Sequence, residues 1–179
     1  MAMKLAFSTL GCPEWDWTEI YPMAHDLGYA GIEIRGLGAE ITASRAKPFQ
    51  AGEIDRTVDT LKKLNLSISC FSSNCVLAAK DCTASASAEI GEYIELASKT
   101  VLAARAKARG VTLLVETNGV YADTKRLAGL LDAVGSDAVA ALWDIHHPYR
   151  FFRESPVTTW TNLDGRIKYV PAKDAIRDD

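Results

Sequence analysis

The chain has 179 residues, a length that suits one domain with a sizeable core and is short for two. Apolar residues make up 48% of the chain and charged residues 24%, as in ordinary globular proteins, so the composition gives no sign of disorder. A formal net charge of -3 provides no basic field for a phosphate backbone. We therefore expect a single domain over residues 1–179 that binds a small molecule and no nucleic acid.

The cysteines and the apolar segments of the sequence indicate the cellular compartment. The sequence has four cysteines, Cys12, Cys70, Cys75 and Cys82. They form no CxxC pair and no regular disulfide framework, which predicts free thiols in a reducing compartment. The apolar run after Lys4 is too short for an export signal, and no segment approaches the roughly 18 apolar residues that span a bilayer. These features predict a cytoplasmic protein with no membrane partner.

The first 71 residues alternate short aliphatic runs with stretches of helical periodicity, the pattern of βα units and a parallel sheet. Strands are predicted at residues 4–9, 31–35 and 66–71. The first helix has Asp16 or Thr18 as its N-cap and ends at Gly28, and the second spans about residues 54–64 and ends at Asn65.

The middle of the chain departs from this alternation. Apolar residues stay in helical phase from about residue 85 to residue 109, and Gly110 then ends the pattern. A helix of about 25 residues would be about 37 Å long, which is unusual for a crossover in a compact domain. We therefore expect an irregularity of the fold in this segment.

Regular alternation resumes after Gly110. Strands are predicted at residues 111–115, 139–143 and 167–170. Asp123 caps a helix that ends at Gly135, and a loop through Pro148 leads to a short helix that begins at residues 155–156.

Acidic residues follow the ends of several predicted strands, where parallel α/β folds gather their functional groups. Glu116 and Asp144 follow successive strands, and Glu33 lies near the end of an earlier one. A single carboxylate in such a position is as often a helix cap or a solvated loop charge. Two in succession, with the imidazole of His147 three residues after Asp144, suit a divalent cation such as Mg²⁺, Mn²⁺ or Co²⁺.

Four segments carry a more specific resemblance: residues 7–13 (FSTLGCP), 28–35 (GYAGIEIR), 114–118 (LVETN) and 143–148 (WDIHHP). Together they resemble the xylose isomerase-like TIM-barrel superfamily, the sugar phosphate isomerases and epimerases. The resemblance implies an α/β fold of the TIM (β/α)-barrel type. It also implies an isomerase or epimerase of a sugar or sugar phosphate that uses a divalent metal to move a proton next to a carbonyl.

The resemblance assigns roles to three residues. In this superfamily a Glu of the fifth strand, an Asp of the sixth, a His of the seventh and a Glu of the eighth hold one metal ion. Glu116 and Asp144 match the first two ligands, and Glu116 is also the implied catalytic base. His147 matches a histidine that contacts substrate, although a loop histidine bonded to backbone is the alternative.

The superfamily pattern breaks in three places. Pro171 stands where the seventh strand has its histidine, and proline offers no side-chain donor atom. No eighth strand precedes Asp179, and the superfamily's fourth strand is missing at the junction of Thr100 with Val101. We therefore expect an incomplete TIM (β/α)-barrel of about six parallel strands, whose open edges favour a homo-oligomer.

Two further residues are candidates for substrate binding. Trp15, in the loop after the first strand, could pack on the C–H surface of a sugar, or it could form a hydrophobic lid over the first helix. Arg35, at the end of the second strand, could bind a phosphate or carboxylate, or it could pair internally with Glu33.

Three functions remain to be weighed. The first is the metal-dependent isomerase or epimerase, and the second is a catalytically inactive remnant that binds a ligand or a partner, favoured by Pro171 and the missing eighth strand. The third is an apurinic endonuclease of the same fold, which three histidines and an acidic pI argue against.

Overall fold

The computed structural model describes residues 3–73, 112–135 and 137–173. The chain divides into two compact units, Met1–Gly110 and Val111–Asp179, and a sheet and an apolar core are described in each. The predicted long helix at residues 85–109, the junction at residues 100–101, Cys75 and Cys82 lie outside the described residues. The single domain over residues 1–179 stays a prediction.

The first unit contains a three-stranded parallel sheet in the order β1-β2-β3. Its strands are β1 (Ala6–Ser8), β2 (Gly31–Ile34) and β3 (Ser67–Phe71), and its helices are α1 (Trp17–Asp26) and α2 (Ile54–Lys63). Each strand lies within three residues of its predicted bounds at either end. The helices occupy the predicted positions between them.

The start of α1 follows from its sequence. The Asp16 side chain accepts a hydrogen bond from the Thr18 N–H at 2.7 Å, and the Glu19 side chain accepts one from the Asp16 N–H at 2.8 Å. This reciprocal pair is a capping box, which satisfies backbone donors that the first helical turn leaves free. The helix then buries Ile20 and Ala24 completely.

The second unit contains a second three-stranded parallel sheet, in the order β4-β5-β6. Its elements are β4 (Leu113–Glu116), α3 (Thr124–Val134), β5 (Val139–Leu142), α4 (His146–Phe152), α5 (Pro156–Asn162) and β6 (Ile167–Tyr169). Its core contains Val115, Leu127, Leu131, Ala141 and Leu163. All six strands of the described residues are therefore parallel to their neighbours, as predicted.

One prediction in this unit is wrong. A loop was expected through Pro148, but residues 146–152 form the helix α4. Pro148 is the third residue of α4, within the first turn, where backbone N–H groups have no partner inside the helix. A proline there removes no intrahelical hydrogen bond, so it does not prevent the helix.

Among the described residues, no helix has the length and the apolar character that crossing a membrane requires.

Candidate active site

The ends of β4 and β5 bring three of the predicted site residues together. Glu116 is the last residue of β4 and pairs with Leu142 of β5 in parallel register, so Asp144 follows at the same edge of the sheet. His147 lies in the first turn of α4, directly after β5. One ligand atom from each of Glu116, Asp144 and His147 lies within 4.8 Å of the others.

Asp144 is the buried carboxylate of this cluster, with only 2% of its side chain exposed. Its Oδ1 accepts a hydrogen bond from the His146 N–H at 2.9 Å. Its Oδ2 lies 2.5 Å from the ammonium Nζ of Lys173. A carboxylate this deeply buried needs such partners, because an unpaired charge away from water is costly.

His147 has a partner at each ring nitrogen. Nδ1 lies 3.2 Å from the Thr117 carbonyl oxygen, and Nε2 lies 3.2 Å from Nζ of Lys173. Because a carbonyl only accepts and an ammonium only donates, we infer that Nδ1 carries the hydrogen and Nε2 carries the lone pair. Nδ1 also lies 3.7 Å from Oε1 of Glu116 and 3.9 Å from Oδ2 of Asp144.

Thr117 links the two strand ends and was not predicted as a site residue. It is fully buried, and its hydroxyl donates to the Asp144 carbonyl oxygen at 3.2 Å while its own carbonyl accepts from His147. The available signal was a small hydroxyl residue directly after the acidic end of a buried strand. A buried hydroxyl in that place needs a partner, and the neighbouring strand end supplies one.

Lys173 reaches the site from the chain after β6. The Trp143 N–H donates to the Tyr169 carbonyl at 2.9 Å, and the Ile145 N–H donates to the Pro171 carbonyl at 3.4 Å. Backbone pairing thus extends past the end of β6 as far as Pro171, and Lys173 follows two residues later. Pro171 is therefore paired with Ile145, the neighbour of Asp144, and has no side-chain donor atom, whereas the ammonium of Lys173 reaches Asp144 itself.

The donor set can be tested against a divalent metal. Two ligands of one ion lie at most about 4.2 Å apart, twice a bond length of about 2.1 Å. The distances of 3.7 and 3.9 Å from Nδ1 of His147 to the two carboxylates meet this limit. Nδ1 nevertheless carries a hydrogen that points to a carbonyl, so the atoms left to hold an ion are the oxygens of Glu116 and Asp144, which lie within 4.8 Å of one another. This pair suits a hard ion such as Mg²⁺ or Mn²⁺.

The other two predicted site residues belong to the first unit. Trp15 is half-buried, and its ring lies 6.4 Å from that of Phe7 in a tilted arrangement. The backbone N–H of Arg35 donates to the Thr9 hydroxyl at 2.9 Å. Both contacts are structural, and substrate binding by Trp15 and Arg35 stays a prediction.

No family model matches the chain, and no curated protein matches it. Among solved structures, the chain is similar to the probable 3-DHS dehydratase AsbF from Bacillus anthracis, which is involved in petrobactin synthesis. The TM-score is 0.73 at 17% sequence identity, over 94% of this chain and 72% of that one. At this identity the likeness concerns the fold. It confirms the predicted fold class, an α/β chain of the incomplete TIM (β/α)-barrel type with six parallel strands in the part described.

Proposed function

We propose that this chain is a metal-assisted enzyme that moves a proton next to the carbonyl of a small sugar or sugar phosphate, as an isomerase or epimerase does. The observation that carries the proposal is the convergence of Glu116, Asp144 and His147 at the carboxyl edge of one parallel sheet. Parallel α/β folds place their active sites at this edge. Two carboxylates and an imidazole are also the groups that metal-assisted proton transfer uses.

The three residues differ in exposure, and this suggests different roles. The Glu116 side chain is 41% exposed, so its carboxylate can take a proton from a substrate carbon and return it to the neighbouring one. Asp144 is buried and held at both oxygens, which suits a fixed ligand. A divalent ion on these two carboxylates would polarise the substrate carbonyl and favour loss of the adjacent proton.

His147 is proposed to orient the substrate. Its Nδ1–H is fixed on the Thr117 carbonyl, which leaves Nε2 as the acceptor that can face a ligand. A substrate hydroxyl could donate to Nε2 where Lys173 donates now. The imidazole would then set the position of the sugar relative to Glu116.

The solved structure to which this chain is similar brings a second reaction, dehydration, into consideration. It is described as a dehydratase, and loss of water beside a carbonyl also requires removal of a proton from carbon. A carboxylate base such as Glu116 serves elimination as well as isomerisation. Dehydration therefore belongs in any activity screen of this chain.

A second candidate is a catalytically inactive domain that binds a sugar-like ligand or a partner. Pro171 supplies no ligand atom beside the site, and the ammonium of Lys173 already neutralises Asp144. Both features weaken a metal site while leaving the polar side chains of Glu116 and His147 at the edge of the sheet. This candidate predicts ligand binding without turnover.

Metal binding is the first test. Metal content and thermal stability should be measured with increasing Mn²⁺ or Mg²⁺ for the wild type, Glu116→Ala and the exposed control Glu14→Ala. An ion that binds only the folded state at 100 times its Kd stabilises by about 2.7 kcal/mol. The wild type and the control should gain stability and Glu116→Ala should not. No metal-dependent gain in the wild type would refute the metal site.

Proton transfer is the second test. The metal-loaded protein should be incubated in D₂O with a panel of keto and aldo sugars and their phosphates, and deuterium on carbon followed by NMR. We expect exchange next to the carbonyl of at least one substrate, reduced by about 100-fold or more in Glu116→Gln. Metal and ligand binding without any exchange would favour the inactive domain instead.

A further inference from the structure

The two carboxylate oxygens of Asp144 have different partners. Oδ1 accepts from the His146 N–H at 2.9 Å, at the start of α4, and this bond helps to fix the carboxylate. Oδ2 lies 3.9 Å from Nδ1 of His147, so it is the oxygen that faces the candidate site. It is the same atom that lies 2.5 Å from Nζ of Lys173.

An ammonium group and a divalent ion cannot both hold this oxygen. Two cations within about 4 Å repel strongly near a buried carboxylate, where water screens them poorly. Lys173 is the partner that can leave, because its side chain is 42% exposed and a flexible four-carbon stem carries the charge. Asp144, 2% exposed, is fixed.

The geometry points to Lys173 as an internal counter-cation that a divalent ion must displace from Asp144. This inference rests on the proposed function, because it requires a metal at Glu116 and Asp144. In the metal-free protein, Lys173 supplies the positive charge that the buried carboxylate needs. Metal binding and the Lys173–Asp144 pair exclude one another, so the lysine lowers the apparent metal affinity.

The same displacement affects His147. Nζ of Lys173 also lies 3.2 Å from Nε2 of His147, so the lysine occupies the imidazole lone pair while it is bound to Asp144. When a metal ion displaces the ammonium, Nε2 becomes free to accept from a ligand. Lys173 thus couples metal occupancy to the availability of His147.

The inference is tested by Mn²⁺ affinity, measured by isothermal titration calorimetry at fixed ionic strength. Lys173→Met removes the competing charge and should bind Mn²⁺ about tenfold more tightly than the wild type, which corresponds to about 1.4 kcal/mol. Lys168→Met is the matched control, because it removes an exposed lysine from β6 of the same sheet. Its affinity should stay within about twofold of the wild type, as expected for an exposed charge.

Two more variants of Lys173 serve as controls for charge and for folding. Lys173→Arg keeps the charge and should keep an affinity near that of the wild type. Lys173→Gln removes the charge but keeps a hydrogen-bond donor, and it takes the place of Lys173→Met if circular dichroism shows that Lys173→Met does not fold. In the wild type, Mg²⁺ should also change the ¹⁵N shift of Nε2 of His147, and this change should be smaller in the charge-removing variant.

The outcomes separate the inference from the proposed function. Measurable Mn²⁺ binding by the wild type, with tighter binding by the charge-removing variant, supports both. Equal affinity in the wild type and the variant overturns displacement and leaves the metal site standing. No Mn²⁺ binding by any of these proteins overturns both.

Discussion

Thr117 joins the two strand ends of the candidate site through its hydroxyl group. It is fully buried and donates to the Asp144 carbonyl, and valine would replace that hydroxyl with a methyl of similar size. We expect Thr117→Val to lower the free energy of unfolding by about 1–2 kcal/mol, because a buried carbonyl loses its donor. Urea unfolding in the presence of EDTA measures this without a contribution from metal.

Thr161→Val provides the control for that measurement. Thr161 is exposed on α5, and its hydroxyl donates to the Val157 carbonyl one turn earlier. Its replacement should change the free energy of unfolding by less than about 0.5 kcal/mol. An equal loss in both variants would contradict a special role for the Thr117 hydroxyl.

Cys12 allows a prediction about pH. Burial, and then the charge of Glu19, raise the pKa of the Cys12 thiol above its ordinary value. The fold therefore favours the protonated thiol, so this contribution to stability is complete below about pH 9 and is lost as the pH rises further. Cys12 should accordingly react with iodoacetamide at pH 8 more slowly than glutathione does, because less thiolate is present.

Site-resolved mass spectrometry can follow that reaction. Glu19→Gln should speed alkylation of Cys12 modestly, since it removes the smaller cause of the raised pKa and can still accept the capping bond from the Asp16 N–H. Alkylation of Cys12 as fast as that of glutathione would show that the thiol is neither buried nor perturbed.

Among individual residues, the sequence predicted the positions of Glu116 and Asp144 but not the contacts of Thr117 and Lys173. Glu116 and Asp144 could be predicted because strand ends in a parallel sheet meet at one edge, whatever the details of packing. The contacts of Thr117 and Lys173 depend on strand register and on side-chain direction beyond β6. Those features arise from tertiary pairing, which a local pattern does not contain.

At the scale of elements, the start of α3 is encoded by one N-cap residue, Asp123. The Asp123 side chain accepts from the N–H groups of Lys125 and Arg126 at 3.1 and 3.3 Å. Asp123→Ala should lower the free energy of unfolding by about 1 kcal/mol, the usual cost of losing an N-cap, whereas Asp123→Asn should stay close to the wild type. Denaturant unfolding of both variants tests this, and equal losses would mean that the cap bonds contribute little.

The sequence patterns predicted the six strands but missed the helix α4. The strands were found because their β-branched and aliphatic runs lie between clear turn and cap signals, such as Gly135, which adopts a φ of 57°. The helix α4 was missed because Pro148 and two adjacent histidines obscure any apolar periodicity. The helix has only seven residues, which is too short for an apolar periodicity to be recognised.

At the scale of the whole molecule, the number of strands was predictable from the sequence. Six parallel strands follow from counting aliphatic runs, and they occur in the described residues. The chain divides into two compact units at Gly110, and the single domain over residues 1–179 stays a prediction. The expectation of a homo-oligomer likewise needs a direct test.

The helices α4 and α5 expose a group of aromatic side chains that bears on that test: Tyr149, Phe151, Phe152 and Trp160. Trp160 is 55% exposed and Phe151 is 61% exposed. Four half-exposed rings offer roughly 400 Å², about half of the ~800 Å² that each partner contributes to a standard interface. Apolar groups in contact with water favour self-association, because association removes them from water.

We therefore expect sedimentation equilibrium to find a dimer or larger species at micromolar concentration. Trp160→Glu should shift the protein towards monomer if α5 takes part in the contact, since a charge there must lose its water when the contact forms. Ile41→Glu is the control: Ile41 is 60% exposed but belongs to the first unit, away in sequence from α4 and α5. A wild type that is monomeric at these concentrations would contradict the predicted homo-oligomer, and equal dissociation by both variants would contradict the involvement of α5.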